Sequence, residues 1–176
     1  MELSDYLLTP FYLALFYGLA YAVRPAVTNK YTVKYFLPAF SVKIVGTLAL
    51  GILYHTIYGG DTNNYFHYAS VVYSAFGKSF GTGLSLIFTD GTMTPDISPY
   101  ALQIPWFGPG SNEYFVIRVA AVCALLGFNT YSVSALFFAV LSFTGMWAMY
   151  MTFAKIRPQV YKELAIAVFF LSLIHI

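Results

Sequence analysis

Asp61 follows two glycines and is succeeded by Thr62, Asn63, Asn64, Tyr65, Phe66 and His67. A carboxylate, two amides, a phenol and an imidazole can together hydrogen-bond a polyol. The carboxylate can also take a proton from a hydroxyl nucleophile, a contribution of about 10²- to 10⁴-fold in rate. The run just before, residues 35–58, is apolar and long enough to cross a bilayer. Asp61 therefore stands where the chain leaves the membrane. Ionisable groups in such places are costly and tend to be kept where they act. A plainer role competes with catalysis. Asp61 or Thr62 can cap the following helix, worth about 1 kcal/mol, and a cap can also be a base.

Arg118 is the second candidate. It interrupts the apolar stretch 113–128, and a guanidinium pairs bidentately with phosphate oxygens. Snorkelling to the headgroups would explain it equally. Asn63, Asn64, Tyr65, His67 and Arg118 form the candidate substrate-binding set around a catalytic Asp61. His55 belongs at the end of the second apolar run, in an interfacial role. There is no Walker loop, dinucleotide fingerprint, paired-cysteine zinc site or His-Glu-x-x-His. No metal ligands stand out, so the cofactor is left unknown; a divalent metal would want paired acids, and Thr62 follows Asp61.

These residues must be positioned by a membrane protein. The chain is 59% hydrophobic and only 9% charged, against about 25% charged in soluble domains. Its polar surface is too scarce to solvate a soluble domain of 176 residues, so the lipid bilayer is its solvent. A net charge of +2 gives no general attraction to nucleic acid. The single cysteine, Cys123, excludes an intramolecular disulfide.

Three spans are expected, at 6–23, 35–58 and 131–153. The first carries no charge and ends at Arg24-Pro25; acidic Glu2 and Asp5 before it argue against a signal peptide. In the second, Lys43 lies near enough to the start to snorkel back. In the third, Trp147 and Tyr150 suit the headgroup level. Residues 164–176 would begin another span, which makes the chain the N-terminal piece of a larger protein. The closing Ser172-Leu173-Ile174-His175-Ile176 resembles a translated sequencing adapter, and no chemistry is assigned to His175.

Arg24, Lys30 and Lys34 mark the 24–34 connection as cytoplasmic, and Lys155, Arg157 and Lys162 mark 155–162 likewise. The segment 59–112 is then external. One crossing, by 131–153, satisfies both connections if the short apolar helix 113–128 lies along the membrane. Within the external segment, Tyr65, Phe66, Ala69, Val72, Tyr73 and Phe76 recur at helical spacing, and Gly77-Lys78 stops the helix. Residues 84–89 are a second apolar piece. Residues 90–112 hold Gly91, Pro95, Pro99, Pro105, Gly108, Pro109 and Gly110, an ordered irregular loop with Trp106 and Phe107 exposed to lipid or ligand. The fold class is all-α: a polytopic membrane helix bundle with external juxtamembrane helices and a Gly/Pro-rich external loop, forming one partial transmembrane domain over 1–176.

A span followed directly by Gly60-Asp61-Thr62-Asn63-Asn64-Tyr65-Phe66, then surface helices, then an Arg118-containing helix leading into a span, resembles the GT-C superfamily of integral-membrane glycosyltransferases. The likeness covers roughly residues 35–160 and is strongest to the multi-spanning bacterial members. It implies a polyprenyl-phosphate sugar as donor and transfer on the non-cytoplasmic side of the bacterial inner membrane, in building the cell envelope. It also implies a catalytic carboxylate in the first large external loop, which falls on Asp61. Two features depart from that family: a lone acid where many members carry a pair, and two spans before the motif rather than one. The competing readings are a transporter fragment and a non-catalytic membrane subunit. A transporter places polar groups at mid-membrane, whereas here the polar cluster stands at the external edge.

Overall fold

The computed structural model describes residues 3–169. It is 81% helical. Among the described residues there are eight α-helices and no strand: α1 (Leu3–Val27), α2 (Val33–Leu53), α3 (Asp61–Lys78), α4 (Phe80–Phe88), α5 (Ser98–Ala101), α6 (Asn112–Leu126), α7 (Tyr131–Ile156) and α8 (Tyr161–Phe169). A single turn of π-helix, Tyr54–Tyr58, prolongs α2, and a 3₁₀ turn, Pro158–Val160, precedes α8. Three helices are long and apolar enough to cross a membrane: Leu3–Val27, Val33–Tyr58 and Tyr131–Ile156. All three expected spans are present, each a few residues longer than its apolar core. The expected span at 164–176 is helical to Phe169, and its remainder lies outside the described residues.

The chain divides into two compact units. One comprises residues 6–52 and 135–176. Its interior is aromatic. Phe36 meets Phe143 and Trp147 edge-on, Phe40 meets Phe143, and Phe169 stacks on Trp147. Edge-to-face ring pairs of this kind add about 0.5–1.5 kcal/mol beyond area burial. Trp147 and Tyr150, expected near the headgroup level, are packed inside this unit. Trp147 is 5% exposed and Tyr150 fully buried. The Trp147 indole donates to the Val27 carbonyl at 2.9 Å, and the Tyr150 hydroxyl to the Tyr161 carbonyl at 3.2 Å. Both rings find internal acceptors for their polar ends, beside the two basic connections.

The polarity of this unit follows from three contacts. Arg24 donates to the Val33 carbonyl, Trp147 reaches Val27, and Tyr161 lies against Tyr31 and Tyr35. The end of α1, the start of α2 and the end of α7 therefore meet at one end, with both basic connections. α2 runs away from that end and α7 runs toward it.

Lys43 departs from the expectation of snorkelling. It shares the packed face of α2 with Phe36, Phe40, Ile44 and Thr47 and is 6% exposed. The spacing 36, 40, 43, 47 is that of a helix packing seam, which carries the lysine inward with its apolar neighbours.

The other unit comprises residues 1–5 and 53–134. Its centre is α3 against α6. Ala69, Val72 and Ala75 on α3 are fully buried, as are Ile117, Ala121 and Ala124 on α6. Small side chains at such positions let two helix backbones approach closely. Of the residues that recur at helical spacing, Ala69 and Val72 belong to this seam, and Tyr65, Phe66, Tyr73 and Phe76 flank it half-buried. Asn112–Leu126 thus forms a helix packed on α3, matching the expected short helix 113–128.

Candidate functional site

The turn that presents Asp61 is built by the π-helical end of α2. The Gly59 amide donates to the Tyr54 carbonyl at 2.9 Å, and Gly59 adopts φ +54°, ψ +51°. That left-handed geometry costs an L-residue about 1–2 kcal/mol. Gly60, not Asp61 or Thr62, is the N-cap of α3, and its extended backbone accepts from the Asn63 amide at 3.0 Å. Asp61 is the first helical residue. Its carboxylate opposes the positive end of the helix dipole without capping an amide.

Asp61 is exposed and makes no hydrogen bond among the described residues. Asp96 is likewise exposed, whereas two other nearby acids are committed. Asp90 accepts from the Thr92 amide at 2.8 Å and from the Thr92 hydroxyl. These bonds, the hydroxyl first, hold its carboxyl below the usual range. Glu113 accepts from the Ser111 hydroxyl, beside the Ser111 side chain that caps α6.

The expected substrate ligands separate into two groups. Asn63 is spent on structure, since its side-chain amide donates to the Tyr54 carbonyl at 3.1 Å and pins the turn to α3. Asn64 and His67 are exposed, and the His67 ring lies 5.2 Å from that of Tyr68. Tyr65 is half-buried against Trp106, with centroids 5.9 Å apart.

Arg118 is placed elsewhere. Its Nη1 donates to the carbonyls of Ile87 and Thr89 at 3.3 and 3.1 Å. These are the last turn and the C-cap of α4, where a cation meets the negative end of the helix dipole. The guanidinium also lies over the rings of Tyr114 and Phe115. None of its hydrogen bonds among the described residues goes to the first turn of α3. Next to α4 an open hollow of about 280 Å³ is lined by Ser85, Phe88, Thr89, Thr94 and Ile97.

Three contributors escaped the sequence reading. Thr62 shares a hydrogen bond of 3.1 Å with the Tyr131 hydroxyl, and Phe66 meets the Tyr131 ring edge-on. Ser70 donates to the Asn129 side chain at 2.9 Å, which anchors the left-handed pair Phe128-Asn129 closing α6. Tyr68 joins Tyr65 in packing on Trp106. The spacing 61, 65, 68 puts Tyr68 on the Asp61 stripe of α3, so Tyr68 was legible. No sequence signal brings Trp106 there.

The Gly/Pro-rich loop is ordered by its own packing. Phe107 is half-buried and lies edge-on to Tyr114 at 4.9 Å, so of the expected exposed pair only Trp106 is open. Gly91 has φ +99°, and a Cβ there would stand 2.3 Å from the Pro109 nitrogen. Only glycine lets these two stretches of loop meet.

Among the described residues no three of His, Cys, Asp and Glu group as a metal site. No protein family, curated protein or solved structure matches this chain.

Proposed function

We propose that this chain carries the acidic motif of an integral-membrane glycosyltransferase of the bacterial inner membrane. It would move a sugar from a polyprenyl-phosphate donor to an acceptor hydroxyl on the non-cytoplasmic side. In that reaction Asp61 takes the acceptor proton or stabilises the charge that develops. The acceptor oxygen bonds to the anomeric carbon as the bond from that carbon to the phosphate oxygen breaks, and polyprenyl phosphate leaves as the anion. One observation carries the reading. Asp61 stands uncommitted at the exposed first position of α3, just past a membrane-length helix, with exposed Asn64 and His67 on the same helix.

Asp61→Asn tests it. The variant keeps the size of the side chain and loses the carboxylate. Because Gly60 is the cap, the substitution disturbs α3 only through an exposed dipole interaction. In the protein inserted in membranes, transfer from a polyprenyl-phosphate sugar should fall about 10²- to 10⁴-fold. Full transfer by Asp61→Asn would sink the catalytic role of Asp61.

A second reading, a transporter fragment, rests on Lys43. It is an inward-facing cation with Thr47 one turn later on the same face, and the Thr47 hydroxyl has no hydrogen-bond partner among the described residues. Intramembrane ionisable groups often line substrate paths. Loss of anion uptake into vesicles on Lys43→Met, with transfer unaffected, would favour it.

A further inference from the structure

Trp106 stands in an ordered loop and is partly open. Next to it in the chain, Phe107 packs on Tyr114, and Ile104 is 3% exposed. Gly91 locks the loop base against Gly108 and Pro109. To its side, the ring packs on Tyr65 and Tyr68 with centroids at 5.9 and 5.3 Å. After these contacts 36% of Trp106 is still exposed. A large ring held by two tyrosines and left partly open is preorganised for contact, because little side-chain freedom is lost on binding.

The chemistry beside the ring narrows the ligand. Asp61, Tyr65 and Tyr68 lie at i, i+4 and i+7, one stripe of α3. At about 1.5 Å of rise per residue, Tyr65 is about 6 Å and Tyr68 about 10 Å from Asp61 along the axis. Asn64 and His67 are exposed on the neighbouring stripe. Aromatic faces are thus bordered by an acceptor carboxylate, an amide and an imidazole. A pyranose matches this pattern. Its axial C–H bonds present a faintly positive apolar face that suits the negative face of a ring, and its rim of hydroxyls needs donors and acceptors. A ring that only anchors the protein at a bilayer interface needs no such border.

We propose that Trp106, flanked by Tyr65 and Tyr68, is the stacking platform for a pyranose ring whose hydroxyls are met by Asp61, Asn64 and His67. This rests on the glycosyl-transfer reading of Asp61 and adds to it the residues that hold the sugar. The pyranose belongs either to an acceptor glycan or to the lipid-linked donor, and the two are separable by probe.

Calorimetric titration of the chain in nanodiscs tests the platform. The probes are trisaccharides of gluco-, manno- and galactopyranose, and short-chain prenyl-phosphate hexoses. Saturable binding of a trisaccharide marks the acceptor side; binding of the prenyl-phosphate hexose alone marks the donor side. Trp106→Ala should weaken the bound probe on the order of tenfold, and Trp106→Phe should restore most of it. Near-ultraviolet circular dichroism and unchanged elution establish that each variant is folded. Asp61→Asn keeps the rings and an amide that can still bond a hydroxyl, so it should weaken the probe less than Trp106→Ala does while transfer falls about 10²- to 10⁴-fold, which separates the base from the platform. Normal transfer by Asp61→Asn with binding dependent on Trp106 would instead sink the base and leave the platform. Three results overturn the proposal: no probe binds the unaltered chain, folded Trp106→Ala binds as well as the unaltered chain, or Trp106→Ala lowers only partitioning onto lipid vesicles while sugar binding stays the same.

Discussion

Asp5 and Ser132 are 127 positions apart, yet one oxygen of the Asp5 carboxylate accepts both the Ser132 amide at 3.0 Å and the Ser132 hydroxyl at 2.8 Å. Ser132 is the second residue of α7, and its amide is one of the donors that a helix start leaves without an internal partner. Asp5 is 6% exposed. A buried carboxylate from the start of one membrane helix thus closes the start of another.

Removing that carboxylate should be costly. Hydrogen bonds to charged groups contribute about 1.5–3 kcal/mol each, and a buried amide left alone adds its desolvation penalty. Asp5→Ala should destabilise the protein by about 2–4 kcal/mol in detergent unfolding. Ser132→Ala, which spares the amide bond, should cost about half as much. Equal, near-zero effects would show that the pair does not fasten the helix starts.

Tyr114 gives a pH prediction. Its hydroxyl donates to the Leu86 carbonyl at 2.6 Å, and burial pushes the phenol from the ordinary 10 up to about 12. An acid whose pKa is higher when folded binds more protons folded than unfolded above pH 10. Stability is therefore complete below about pH 10 and falls as pH rises toward 12. Tyr114→Phe should lower stability by about 0.5–1.5 kcal/mol at neutral pH and flatten this alkaline decline. A decline of unchanged size in Tyr114→Phe would assign it to other groups.

Orientation is measurable because the native thiol is quiet. Cys123 is 4% exposed, and burial pushes its thiol up to about 11, so few thiolates form at pH 8. In intact cells, Thr62→Cys should react with an impermeant maleimide, and Thr28→Cys only after permeabilisation. Labelling of Thr28→Cys from outside, with Thr62→Cys protected, would invert the arrangement and put the Asp61 turn in the cytoplasm.

The helices were legible because their signal is physical and local: long uncharged runs, a left-handed glycine at the end of one span, and a helical repeat from Tyr65 to Phe76. What failed to read through was the choice of partner. Asp5 looks in sequence like a flank of the first span, but it is recruited by an amide 127 residues away. Trp147 and Tyr150 are recognisable by type as headgroup-level residues, but the Val27 and Tyr161 carbonyls that receive their polar ends are not legible from spacing. Lys43 reads as a snorkelling charge until its seam with Phe36, Phe40 and Thr47 is seen to pack. Within the candidate site, Asp61 and its stripe follow from spacing alone, whereas Trp106 arrives by loop folding, which no period encodes.

Arg118 was the residue most open to two meanings, and its geometry allows them to be separated. Its Nη1 closes the end of α4 through the Ile87 and Thr89 carbonyls, and its Nε is buried without a partner. A lysine keeps the charge, but its stem is one atom shorter, so its ammonium reaches the two carbonyls bonded by Nη1 less well. As a helix-end clasp, Arg118→Lys should lose about 1–2 kcal/mol of stability, and Arg118→Gln more, in vesicles of any headgroup. If Arg118 instead serves a lipid phosphate, Arg118→Lys should be nearly silent in stability. The dependence of stability on anionic lipid should then disappear only in Arg118→Gln. Unfolding of the three proteins in phosphatidylcholine and in phosphatidylglycerol vesicles distinguishes these outcomes, and the hydrogen bonds to α4 predict the first.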